Sequence, residues 1–141
     1  VKIAGGLVPK EYINPETLFP SLPIGFSQIV TASGGKTLYI SGQTAWDAEK
    51  RIVGGTDLGE QARQALRNVQ AAVEAAGGKL TDVVALRLYV VNYKRHDAAA
   101  VGAALREFFS SEQPPASTWL GISSLAVDDF LIEIEATAVI E

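Results

Sequence analysis

Residues 83–91 read VVALRLYVV, a run rich in valine with no glycine or proline, and this composition predicts a β-strand. Alternation divides it into two faces. Val84, Leu86, Leu88 and Val90 form one; Val83, Ala85, Arg87, Tyr89 and Val91 form the other. Arg87 is the only charge on either face, so the strand should be covered on both sides.

The segments around it set the layers. Upstream, residues 57–76 form the clearest helix, with Ala62, Leu66, Val69, Val73 and Ala76 as a buried stripe. Asp57 and Glu60 give a capping-box start, and Gly77-Gly78 ends the helix. The opposite face, with Glu60, Arg63, Arg67 and Glu74, should be solvated. Downstream, residues 97–110 form a second helix with Val101, Leu105, Phe108 and Phe109 apolar, stopped by Pro114-Pro115. Strands follow at 117–125 and 130–140. In the last of these Phe130, Ile132, Ile134, Ala136, Ala138 and Ile140 share one face. Leu131, Glu133, Glu135, Thr137 and Val139 share the other.

Toward the N-terminus, FSQIVTA (26–32) and KTLYISGQ (Lys36–Gln43) flank Ser33-Gly34-Gly35, which signals a hairpin. A further short strand is expected near 51–53. Residues 1–25 carry four prolines, Pro9, Pro15, Pro20 and Pro23, and read as a loop-rich arm with little room for long pairing. The 141 residues fit one domain over 1–141. A chain of this size buries roughly 68% of its unfolded surface, enough to hold together without disulfides.

Hairpin, helix, strand, helix, strand, strand is an α+β order, with two helices on one face of a mixed sheet. The opposite sheet face then has no cover from within the chain. A broad apolar face of this kind predicts burial against another copy in a closed oligomer. Glu133 and Glu135 point the same way, and Arg87 is the obvious partner for carboxylates at such a seam.

Composition narrows the chemistry. The chain has no cysteine, which removes thiol nucleophiles, Cys-zinc sites and a disulfide framework; a cytoplasmic location is the simpler expectation. The formal charge is −4 and the pI about 5.0, which argues against nucleic acid as the main partner. The Lys94-Arg95-His96 cluster is short and reads as a solvated turn. No apolar run approaches the ~18 residues of a membrane span, and the first residues lack a signal-peptide pattern. His96 is the single histidine, so neither a His-rich metal site nor a Ser-His-Asp triad is expected. Asp128-Asp129 is a lone pair in a turn. No phosphate-binding glycine loop is present, and no cofactor is expected.

What remains is a cleft of hydroxyls, backbone amides and a carboxylate. Glu133 is the best general acid or base, since burial at a seam would raise its pKa toward a useful range. A structural ion pair with Arg87 is an equally weighted role for it. In YISGQ, Ser41-Gly42 closes a strand, and a glycine there lets backbone approach a ligand; a bulge explains it as well. The stretch QPPASTWLG (113–121) opens a strand with Ser117, Thr118 and Trp119, a second place for a site.

Taken together, YISGQ, QARQALRNVQAAVEAAGGKLTDVV, EFF, PPAS and IEIEATAV resemble, in order and spacing, the Rid/YjgF family, also labelled endoribonuclease L-PSP. The resemblance covers nearly the whole chain after about Tyr12. It implies a chorismate-mutase-like fold and a homotrimer, with a small-molecule site in each cleft between subunits. Active members hydrolyse enamine or imine compounds such as 2-aminoacrylate to keto acids and ammonia. They hold the substrate carboxylate with an arginine in a Pro-Ala-Arg stretch, where a guanidinium fork matches a carboxylate.

In this chain that slot reads Pro115-Ala116-Ser117, and the arginine is absent. A lost charge-assisted bond is worth roughly 1.5–3 kcal/mol. Phe26 stands where active members have tyrosine, and Gly102 aligns with an asparagine. Trp119 replaces a small residue and would fill cleft volume. Ser41, Gly42 and Glu133 match the family pattern, and Glu133 aligns with the glutamate that positions water. The resemblance is to an arginine-lacking subfamily, in which Arg87 could supply a replacement cation.

The leading expectation is a trimer that hydrolytically deaminates an enamine or imine. Glu133 would activate water, Ser41 and Gly42 would orient the substrate, and Phe26, Arg87, Ser117, Thr118 and Trp119 would bind it. The missing arginine and the bulky Trp119 favour a second reading, a non-catalytic metabolite-binding or regulatory trimer. The ribonuclease activity of the older label stands well below both, given the acidic pI and the absence of basic–aromatic interleaving.

Overall fold

A computed structural model describes residues 9–141; the first eight residues of the expected arm lie outside the described residues. The elements are β1 (Lys10–Ile13), β2 (Ile29–Ala32), β3 (Lys36–Gln43), α1 (Leu58–Ala75), β4 (Val83–Val91), α2 (Asp97–Phe108), β5 (Ala116–Ile122) and β6 (Ile132–Ile140). A short 3₁₀ turn at Leu80–Asp82 leads into β4. The main sheet has the order β3-β6-β4-β5, with β4 and β5 parallel and the other neighbours antiparallel. The parallel pair needs a crossover, and α2 supplies it. Both helices pack on one side, which is the α+β arrangement the element order predicts.

The helix layer forms where the apolar stripes require it. Leu66, Val69 and Val73 of α1 and Val101 and Leu105 of α2 meet Leu86, Leu88 and Val90 of β4 and Ile132, Ile134 and Ala136 of β6. Asp57 caps α1 by accepting the Glu60 N–H at 3.0 Å. Gly77, at φ 96°, ends it, and the Gly78 N–H returns to the Val73 carbonyl at 2.9 Å. Arg63 is not simply solvated: it bonds Glu60 at 2.7 Å and also reaches Glu107, tying α1 to α2. Ala76, expected in the stripe, is exposed at the helix end.

Three local expectations are corrected. The glycines at 34 and 35 make the predicted turn, with φ of 78° and 72°, but no hairpin. β2 instead pairs antiparallel with β1, and β3 joins β6. Residues 10–13 lie between Pro9 and Pro15, so they offer an unbroken run of backbone donors despite the proline-rich surroundings. Lys10 then anchors this strand through Asp82 at 3.1 Å, the Lys10 side chain being only 8% exposed. Near 51–53 there is a single bridge between Ile52 and Trp46, not a strand. In β4 the register shifts between Val83 and Ala85, so Val83 turns into the core and Val84 is half-buried. From Leu86 onward the alternation holds.

The sheet face away from the helices carries Arg87, Tyr89, Glu133, Glu135, Thr137 and Val139, half-buried or exposed, and Tyr39 at 85% exposure. Among the described residues no helix is long and apolar enough to cross a membrane.

Candidate active site

β6 alternates strictly between buried and half-buried residues, which places Glu133 on the face away from the helices. Opposite it, β3 contains one extra residue: Ile40 pairs with Ala136, while Gln43 pairs with Ile134. Ser41 and Gly42 form this bulge, the second of the two sequence readings of the SG pair. The bulge aims backbone at Glu133, and a Cβ built on Gly42 would collide with the Glu133 Oε2, Cδ and Cγ atoms. Glycine at 42 is thus what lets the carboxylate lie against the strand. Within the chain, Glu133 makes no hydrogen bond or ion pair among the described residues.

Glu133 and Gly42 open onto a cleft of about 510 Å³, whose other walls include Thr44, Trp46, Asp47, Asn68, Ala71 and Phe130. Asn68 on α1 fixes one wall, donating to the Thr44 and Trp46 carbonyls at 2.9 and 2.8 Å. Trp46 meets Phe130 edge-to-face at 4.9 Å. Asp47 organises the turn that follows. It accepts the Arg51 and Glu49 N–H groups at 2.9 Å each and the Arg51 guanidinium at 2.9 Å. These bonds, the Arg51 backbone N–H first, hold its pKa below the usual carboxylate value.

A second cleft, about 290 Å³, lies along the start of β4 and β5 and is lined by Phe26, Gln28, Ala85, Arg87, Ser117 and Thr118. Ser27 closes its edge, bridging to Ala116 and donating its hydroxyl to the Pro114 carbonyl. Arg87 is exposed here and forms no ion pair among the described residues. Within one subunit, no Arg87–glutamate ion pair forms among the described residues. Glu135, its neighbour across the β4–β6 register, instead accepts the Tyr89 hydroxyl at 2.9 Å. That bond, with desolvation and the carboxylate charge behind it, raises the Tyr89 pKa.

The predicted site residues therefore divide. Glu133 and Gly42 line one cleft; Phe26, Arg87, Ser117 and Thr118 line the other. Ser41 is exposed on the bulge. Trp119 lines neither: it packs against the hydrophobic core, because β5 pairs Ser117 and Trp119 with Leu86 and Leu88, which face the helices. Ser117 Oγ and Trp119 Nε1 are both buried without a hydrogen-bond partner. Sequence reasoning missed Trp46, Asn68 and Gln61. Gln61 is fully buried and binds the Gly55 and Asp129 carbonyls and the Leu131 N–H at 2.7, 2.9 and 2.9 Å. A polar residue inside the apolar stripe of α1 was its one visible signal.

Comparison with known proteins places this geometry. The family model described as endoribonuclease L-PSP matches residues 20–140. A solved structure from Yersinia pestis, described as YyfB, a protein of unknown function of the conserved Rid family, is 44% identical with a TM-score of 0.88, covering 93% of this chain and 98% of that one. A 2-iminobutanoate/2-iminopropanoate deaminase of Dermatophagoides farinae is 35% identical over 134 residues, 94% of this chain and 98% of the relative. The Salmonella typhimurium protein of the same name is 38% identical over 107 residues, 74% of this chain and 80% of the relative. With the fold, the Ser41-Gly42 bulge and Glu133 in place, the chain belongs to the endoribonuclease L-PSP family, the Rid/YjgF proteins.

Proposed function

We propose that the chain is a hydrolytic enamine/imine deaminase whose site is completed between subunits of a homotrimer. One observation carries the reading: a carboxylate and a guanidinium, each without a hydrogen-bond or ion-pair partner among the described residues, occupy two separate clefts of the same subunit. Each is half a site. A closed ring of identical subunits brings the Glu133 half of one copy to the Arg87 half of the next. The open sheet face, with Tyr39 exposed and Arg87 unpaired, is the surface such a ring would bury. The relatives named as imine deaminases support the reaction class.

The chemistry is one water per turnover. Glu133 takes a proton from water as the oxygen attacks the imine carbon, giving a carbinolamine. Glu133 returns that proton to nitrogen and then carries the hydroxyl proton to the same nitrogen as the C–N bond breaks, so that ammonia leaves and the carbonyl forms. Arg87 holds the substrate carboxylate in place of the arginine missing at Ser117. The missing arginine also supports the second reading, a metabolite-binding trimer without turnover, and the same assay separates the two.

The test is ammonia release from enzymatically generated 2-aminoacrylate and 2-iminobutanoate, above the rate in buffer. The native chain should accelerate release, and Glu133→Gln and Arg87→Ala should each lose it. Co-assembling the two variants should restore activity at roughly a quarter of interfaces by random pairing. Native protein no faster than buffer would overturn the deaminase reading. Mixed assemblies as inactive as their parents would overturn the shared site.

A further inference from the structure

We infer that the Glu133 cleft receives the side chain of the imine substrate and is built for an aromatic one. The inference rests on the deaminase reading for its reaction. It goes beyond that reading in naming which part of the substrate the cleft holds.

Two of the cleft's polar side chains, Asn68 and Asp47, are spent on the wall itself. Both Asn68 amide hydrogens go to the Thr44 and Trp46 carbonyls, and Asn68 Oδ1 accepts from Gln64 at 3.0 Å. Both Asp47 oxygens are occupied by the 47–51 turn. Among the described residues no lysine, arginine or histidine lines the cleft, so its lining offers no cation to a substrate carboxylate. Glu133 is the one charged group left to address a ligand, and it stands at the Gly42 end. The rest of the wall mixes the neutral Gln43 and Thr44 side chains with carbon, and its carbon is aromatic in the Trp46 and Phe130 rings and small at Ala48 and Ala71.

Size points the same way. About 510 Å³ falls within the roughly 300–1,000 Å³ typical of sites for drug-sized ligands, far more than a methyl or ethyl substituent fills. The edge-to-face Trp46–Phe130 pair presents ring surfaces on which a third ring can stack or abut. Lys50 sets its ammonium 5.4 Å from the Trp46 ring centre, a cation–π contact with that ring. The substrate class is therefore a 2-imino acid with an aryl side chain. Its ring lies toward Trp46, its imine carbon at Glu133, and its carboxylate in the neighbouring subunit's Arg87 cleft.

The experiment uses a D-amino-acid oxidase to make the imines of D-phenylalanine and D-alanine, since the imino carbon keeps no chirality. The readout is how far the protein suppresses semicarbazide trapping of each. The ratio of kcat/KM should favour the phenyl imine by at least about tenfold, within what pocket contacts deliver. Ala71→Leu, an exposed helix position that narrows the cleft, should erase the preference. Trp46→Ala should do the same, and Trp46→Phe should keep most of it. A parallel titration follows tryptophan emission with phenylpyruvate and with pyruvate; only phenylpyruvate should change it, and not in Trp46→Phe. Equal turnover of both imines with no phenylpyruvate response overturns the aryl subsite and leaves the deaminase reading standing. No turnover of either imine overturns the deaminase reading, and the emission titration then decides the subsite alone.

Discussion

Tyr89 donates its hydroxyl to Glu135 Oε1 at 2.9 Å, although the residue facing Glu135 across the β4–β6 register is Arg87. The phenol occupies the carboxylate that Arg87 would otherwise take. A guanidinium left free on a sheet face is available to a ligand or a neighbouring subunit; one locked to Glu135 is not. Under the proposed reaction, substrate anchoring by Arg87 depends on a hydrogen bond made by the residue two positions along the same strand.

Replacing Tyr89 by phenylalanine should release Glu135 to pair with Arg87. KM for the imine should rise roughly 3–10-fold with a smaller change in kcat, the signature of lost binding rather than lost chemistry. The same bond has a pH signature. Because the Tyr89 pKa is raised, the contact is fully present below the ordinary tyrosine value of about 10. It is lost as pH rises through the raised value. A phenolate absorbance titration should show raised components from both Tyr89 and Tyr12, and Tyr89→Phe should remove one of them.

Gly42 and Glu133 yield a sharper test. A methyl group at 42 occupies the space of the Glu133 carboxylate, whose far end swings away more easily than backbone moves. Gly42→Ala should therefore keep its thermal midpoint within a few degrees while kcat falls, by about 10²-fold for a misplaced base. Glu133→Asp, which withdraws the carboxylate by one methylene, should recover part of that loss in the Gly42→Ala background. If Gly42→Ala leaves kcat unchanged, Glu133 does not act from this position.

How much of this was legible in the residues follows from the reach of each signal. Periodicity captured β4, β6 and both helices because burial on one face is written every second or fourth position, and β6 obeys it from Ile132 to Ile140. The SGG turn was legible too, since positive φ favours glycine. Which strand each arm of that turn pairs with was not. Backbone donors carry no side-chain code, and β1 lies more than fifteen residues away from β2. The site shows the same limit. Glu133, Gly42 and Ser41 were visible as residue types on known strands. Their division from Arg87 and Ser117 into separate clefts depends on strand order β3-β6-β4-β5, which local pattern does not specify. Trp119 looked like a cleft residue by alignment but shares the helix-facing side of β5 with Ser117.

Gln61 should prove to be a stability residue rather than a site residue. It is fully buried and satisfies two carbonyls and one N–H, from the turn before α1 and the loop before β6. Gln61→Leu keeps the volume and leaves all three backbone groups without partners. At about 1–3 kcal/mol per stranded buried group, partly relieved by water, the net loss should be about 2–4 kcal/mol. A denaturant midpoint shift with an unchanged slope would show it.

The last prediction concerns acid. Asp47 holds the turn beside Trp46 as a carboxylate, and its hydrogen bonds, the Arg51 N–H foremost, lower its pKa. A lowered folded-state pKa means the turn's contribution is intact above the ordinary carboxylate value of about 3.9 and is lost as pH falls through the lower one. Protonation removes acceptors from two backbone N–H groups and the Arg51 guanidinium together, and the turn carries Lys50 at φ 62°, a conformation it would not hold alone. Emission from Trp46 should therefore report a transition centred below pH 3.9, separate from global unfolding followed by circular dichroism. In Asp47→Asn, which lacks the titrating group, that transition should vanish, and the phenyl-imine preference should already be weakened at neutral pH. A transition that persists unchanged in Asp47→Asn would assign the acid sensitivity to another carboxylate and detach the turn from the aryl wall.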